Sequence, residues 1–314
     1  MCIRDRRRPD GYVGKPPELG TGVFSMNSGA NSGAPLFDST HVVDYQFVRN
    51  INSTWNWETG ARIIGSKQVY LNTSGAETNI DPSGWKYDYM NGWHTNASGI
   101  SNYQCWMWKR HAGFDVVTYE GNQVSREVKH NLNAVPEMIW SKDRTESGDW
   151  IVYHKGLNSG TNPAEKFLYL NKNDAENGWV VPWNDTEPTS VWYPVQASTT
   201  FNKTGNNYVT MLFASVDGIS KVGYYDGSNS AQTITTGFQP RFVIIKKSSG
   251  TDSWIVLDTT RGWASGNDNY LQINSSTAQI SSDYGIPTST GFTVAAGVGN
   301  INDGGHKYIY YAHA

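Results

Sequence analysis

Three stretches decide the fold: QVYLNTSGAE (68–77), FLYLNKNDAE (167–176) and YLQINSSTAQ (270–279). Asn72, Asn171 and Asn274 hold the same place in each, 99 and 103 residues apart, and Ala76, Ala175 and Ala278 keep a common offset. A period of this size is read before any local pattern, because a recurring block marks a recurring structural unit. A tryptophan precedes each block, Trp55 in WNWETGAR, Trp150 in WIVYHKG and Trp254 in WIVLDTTRG, and Arg62 and Arg261 each follow their Trp by seven residues. An aromatic run follows each block: YQCWMW from Tyr103, YVTMLF from Tyr208 and YIYYAH from Tyr308. Three landmarks in one order at one period predict three copies of one domain of about 100 residues.

Copies two and three share further wording. VVTYEGN (116–122) matches VGYYDGS (222–228), and AVPEMIWSK (134–142) matches FQPRFVIIKK (238–247), each with a proline ahead of the apolar run. FNKTG (201–205) and INDGG (301–305) also correspond. Copy one is more diverged, with GVFSMNSG (22–29) as its opening strand and VVDYQFVRN (42–50) as its next run. The expected division is 1–20 connector, 21–112 first copy, 113–218 second and 219–314 third. MCIRDR (1–6) resembles translated sequencing adapter, and residues 7–20 form a Gly/Pro-rich connector.

Within a copy, short apolar runs end at Gly, Ser, Asn and Asp, as strands do. RFVIIKK (241–247), the loop SSGTDS and WIVLD (254–258) read as a hairpin. Thirteen Trp, 18 Tyr and 32 Gly, with only 17% charged residues, favour pleated sheets and tight turns over helices. The predicted class is all-β, with tandem small β-sandwich domains. NDAE (173–176) has capping character and predicts a helical turn; GVGN (297–300) is read as a turn with no helix behind it.

Several function classes fall away. A net charge of −3 carries no electrostatic footprint for nucleic acid, and no apolar run reaches the length of a membrane span. Cys2 and Cys105 cannot build a disulfide framework or a thiolate metal site, and Cys105 reads as a buried structural thiol. None of the seven histidines recurs in all three copies, and scattered carboxylates define no acid pair. The expectation is a chain without catalytic residues, metal or cofactor, so not an enzyme. The recurring Trp55, Trp150, Trp254, Asn72, Asn171, Asn274, Tyr103, Tyr208 and Tyr308 are expected to be core anchors. Trp85, Trp93, Trp179, Trp183 and Trp192 lie in the variable stretches between landmarks. Unshared loop aromatics are material for stacking on sugars or anchoring a partner, so these five are the candidate binding residues.

PEMIWSKDR (136–144), DWIVYHKGLNSGTNPAEKFLYLN (149–171), WNDTEPTS (183–190), NYVTMLFASVDGISKVGYYDGS (207–228) and FQPRFVIIKKSSGTDSWIVLDTTRGWASGNDNYLQIN (238–274) together resemble a domain of unknown function. That domain occurs, often in tandem, in structural proteins of tailed phages and is common among marine viruses. The resemblance implies a tail- or fibre-associated virion protein with a lectin-like sandwich, no catalytic residues, and adhesion to host-surface glycan or protein. Its partners would be other virion proteins and copies of itself, with no nucleic acid and no membrane insertion. Two other classes fit the residues: a carbohydrate-active enzyme or its carbohydrate-binding module, and a secreted bacterial β-repeat adhesin.

Overall fold

The computed structural model describes residues 19–29, 33–80, 84–96, 100–178, 182–192, 194 and 201–314. Nearly all of its regular structure is β, in separate antiparallel sheets. Three of these are large. The first runs Phe24–Asn27, Tyr103–Trp108, Tyr45–Asn50, Glu58–Ala61, Lys67–Tyr70 and Thr78–Asn79. The second runs Phe114–Glu120, Asn207–Phe213, Met138–Asp143, Ile151–His154 and Leu168–Tyr169. The third runs Ser220–Asp226, Lys307–His313, Phe242–Lys247, Ile255–Asp258, Asp268–Gln272 and Ile280–Ser282. In each, the opening strand lies beside the last long one, and the remaining strands follow as hairpins. A small two- or three-stranded sheet accompanies each: Phe37–Asp38, Gly92–Thr95 and Trp85–Lys86; Val128–Lys129 and Val191–Trp192; Gln232–Thr235, Gly291–Val294 and Pro287–Thr288.

Side chains alternate across each large sheet, and both faces are covered. One face of all three sheets meets in a single core. Tyr45, Phe47, Trp106 and Trp108 of the first sheet pack there with Met138, Trp140, Met211 and Phe213 of the second and Phe242, Ile244, Ile309 and Tyr311 of the third. The opposite faces have cores of their own, around Val48, Cys105 and Met107, around Ile139, Ile151 and Leu212, and around Val243, Ile255 and Tyr310. Burial on both faces explains why RFVIIKK shows no alternation of apolar and polar residues. The segments are therefore not separate beads. Their inner faces make one hydrophobic interior.

The recurring asparagines hold this arrangement. Asn72, Asn171 and Asn274 accept, through Oδ1, the backbone N–H of Trp57, Trp150 and Trp254 at 2.9, 3.0 and 2.9 Å. Each of these indoles then donates its Nε1–H to a neighbouring segment's backbone: Trp57 to Gln272 O, Trp150 to Tyr70 O and Trp254 to Tyr169 O, all within 2.9 Å. First joins third, second joins first and third joins second, so the three contacts close a ring. The residues after each asparagine add backbone bonds across the same borders, Glu77 N–H to Arg144 O, Glu176 N–H to Ser248 O and Gln279 N–H to Ile51 O. The ten-residue blocks are thus clasps between segments. NDAE (173–176) accordingly forms no helical turn, because its backbone is spent on the clasp.

Trp55 is corrected as an anchor. Trp57 occupies the place of Trp150 and Trp254, whereas Trp55 is 41% exposed. GVGN also departs from expectation, since a one-turn helix spans Gly299–Asn302. The anchors Tyr208 and Tyr308 accept the N–H of Lys203 and Asp303 on their hydroxyls. That holds FNKTG and INDGG against the end of the opening strands, where a Cβ on Gly121 or Gly227 would come within 2.2 Å of Lys203 O or 1.9 Å of Asp303 O. Only glycine allows so close an approach. Cys105 is buried and free, and its sulfur accepts the Trp93 indole N–H.

Candidate functional site

The outer face of each large sheet decides where a ligand can reach the chain. Trp85 and Trp93, buried to 5% and 1% exposure, close the first, with Trp93 stacked on Phe37 at 4.9 Å. Trp183 and Trp192, at 2% and 1%, close the second against Tyr153 and Tyr119. These four predicted binding aromatics are corrected: they are lids on their own sheets, because an apolar outer face left wet would cost more than the loop loses by ordering. Trp179 lies outside the described residues. In the second segment the space left under the lid, between Ile151, Tyr208, Trp183 and Trp192, amounts to about 10 Å³.

Among the described residues, one end of the first sheet has no such lid. Thr54, Trp55, Asn56, Glu58, Tyr70 and Ser276 line a cleft of about 310 Å³, open to solvent, at the border of the first and third segments. Glu58 begins the strand Glu58–Ala61 and pairs with Tyr70, the register that Ile151 holds opposite Tyr169 and Ile255 opposite Gln272. Ile151 and Ile255 are buried; Glu58 is half-buried at the cleft wall. Its Oε1 accepts the Trp55 indole N–H at 3.0 Å. Trp55 is seated by its own N–H, which donates to Ser276 O, and by Tyr103, edge-on at 6.0 Å. Asn72 donates to Asn56 at 2.9 Å, and Gln68 to the Tyr70 hydroxyl at 2.8 Å.

Burial raises the Glu58 carboxyl above its usual range, against the lowering effect of the Trp55 donor. The phenols of Tyr70 and Tyr103 are raised by burial and then by the Glu58 charge. Three aromatic side chains therefore surround one carboxylate. A flat exposed indole with polar groups at its edge is a surface for stacking on a ring and hydrogen bonding to it. Of the residues predicted from sequence, the structure brings Trp55, Tyr103 and Asn72 to this place and none of the four loop tryptophans it describes. Glu58 and Tyr70 were missed. The signal was a carboxylate at a register where the other two segments carry isoleucine.

No three His, Cys, Asp or Glu among the described residues stand close enough to hold a metal ion. His154 and Asp258 share one register, yet each is fully buried and differently bonded: His154 to Tyr310 O, Asp258 to Trp106 and Arg261. No described helix is long and apolar enough to cross a membrane.

Comparison with known proteins gives a family and no activity. No curated protein and no solved structure matches the chain. The model of one domain of unknown function, DUF7483, matches residues 66–314, from the strand beside Glu58–Ala61 through the second and third segments. The chain belongs to the DUF7483 family.

Proposed function

We propose that this chain is a structural and adhesive component of a virion, tail- or fibre-associated, that binds host-surface glycan through the Trp55 cleft. The observation that carries the binding role is the open cleft itself. On a scaffold whose sheets are otherwise covered on both faces, a 41% exposed tryptophan is held beside a carboxylate, two tyrosines and two asparagines. Carbohydrate sites use this chemistry, an aromatic face for the apolar side of the sugar and polar edges for its hydroxyls. Three cross-bonded segments give a rigid support, so little ordering opposes binding. Weak single-site affinity would be raised by several copies in a particle. Glycoside hydrolysis uses two carboxylates flanking the bond; the described cleft lining supplies Glu58 alone, which favours binding over cleavage.

A glycan array tests the binding role. The full chain is expected to retain a restricted set of glycans, and Trp55→Ala to lose them with an unchanged melting temperature. Equal retention by Trp55→Ala overturns the assignment of the cleft. The setting is tested by mass spectrometry of purified virions from a tailed phage encoding a family member; absence of the protein from the particle overturns it.

A further inference from the structure

Glu58 says more about the ligand than that one binds. A carboxylate set among aromatic rings loses hydration and needs a cation or several donors in return. Among the described residues Oε1 has one donor, the Trp55 indole, and Oε2 has none. No lysine, arginine or histidine of the described chain pairs with it. Arg49, the buried cation at the same border, is committed elsewhere: it lies 4.9 Å from the Trp57 ring and donates to the carbonyls of Asn50, Ser276 and Thr277. Ile at the same register in the other sheets costs nothing of this kind, so the charge is a local departure from the scaffold.

The remaining groups reinforce the same sign. Aromatic faces carry negative potential and attract cations within about 6 Å, and Trp55, Tyr70 and Tyr103 crowd the carboxylate. A cleft whose described lining has a carboxylate, aromatic walls and no cation is complementary to a positively charged organic group. We propose that the Trp55 cleft takes an organic ammonium group, carried by an amino sugar or by a choline-type head group. This rests on the reading of the cleft as the binding surface and narrows its ligand. A bound ammonium would supply the missing counter-charge and draw the Glu58 carboxyl back toward its usual range.

The test titrates the full chain by calorimetry and tryptophan fluorescence with three probes: a glucosamine trimer with free amines, the fully N-acetylated trimer, and choline chloride. The free-amine trimer is expected to bind at least about tenfold more tightly than the acetylated one. Glu58→Gln is expected to remove that preference, with Glu58→Ile as a second variant whose side chain this sheet register already accommodates elsewhere. Binding of choline alone supports the ammonium site and overturns the glycan reading. Equal binding of both trimers, unaffected by Glu58→Gln, overturns the ammonium site and leaves the glycan reading standing. No binding of any probe overturns both.

Discussion

The first and second segments place the same strand register on the outer faces of their sheets and treat it in opposite ways. In the second, Ile151 faces Trp183, Trp192, Phe201 and Tyr208 beneath a lid; in the first, Glu58 faces Trp55 and Tyr70 in an open cleft. The tyrosines show the divergence. Tyr208 stacks on Tyr119 at 4.8 Å and holds Lys203 N–H, whereas Tyr103 turns its edge to Trp55. One backbone can thus bury an apolar outer face or open it to solvent. The choice rests on one apolar-to-acidic change and on what the connecting loop lays over it. Both segments give their inner faces to the shared core, so a site can be opened outside it without loosening the interior.

Three experiments would break or sharpen this contrast. The largest effects belong to the covered face. Ile151→Glu should cost about 3–5 kcal/mol, because the lid leaves the new carboxylate without a partner. A denaturation midpoint close to that of the unmodified chain would mean the second face is wetter than its burial indicates. Trp192→Ala should lose about 3–5 kcal/mol by cavity formation, and Trp55→Ala about 0.5 kcal/mol or less, in the same urea titration. Similar losses for the two would erase the distinction between lid and exposed platform.

Glu58→Ile has the smallest effect and a pH signature. The folded carboxyl titrates above its unfolded value of about 4.3, so the folded state binds its proton more tightly. Stability from this group is complete below the unfolded value and is lost as pH rises through the folded one. The stability difference should therefore shift in favour of the isoleucine variant as pH rises from strong acid toward neutrality. A difference independent of pH would show that the carboxyl is not shielded from water in the cleft.

The landmarks were legible in the sequence because their demands are local. An apolar strand between turn residues, an asparagine directly after Leu or Ile and a glycine after a Tyr-acid pair all announce backbone geometry within a few residues. The choice between Trp55 and Trp57 was not legible. WNWETGAR offers two tryptophans, and the seven-residue spacing of Arg62 and Arg261 selects the wrong one. In the structure Arg62 opens the turn Arg62–Ile64 while Arg261 closes Thr259–Arg261, so the two arginines are not equivalent. The variable-loop tryptophans misled for a related reason. A loop residue that differs between copies can be a ligand platform or a lid, and only the face beneath it distinguishes them.

Amino-acid order alone determined the all-β class, the recurring asparagine and tyrosine positions and the short apolar strands, since propensity and turn chemistry act between near neighbours. Tertiary structure decided which tryptophan is buried, whether the segments share an interior and where the surface opens. Those outcomes depend on partners far along the chain. Trp57 is fixed by the carbonyl of Gln272, Trp55 by that of Ser276, and Trp106 by the carboxylate of Asp258. Burial is a property of the closed ring of three sheets, and no single stretch of sequence contains the ring.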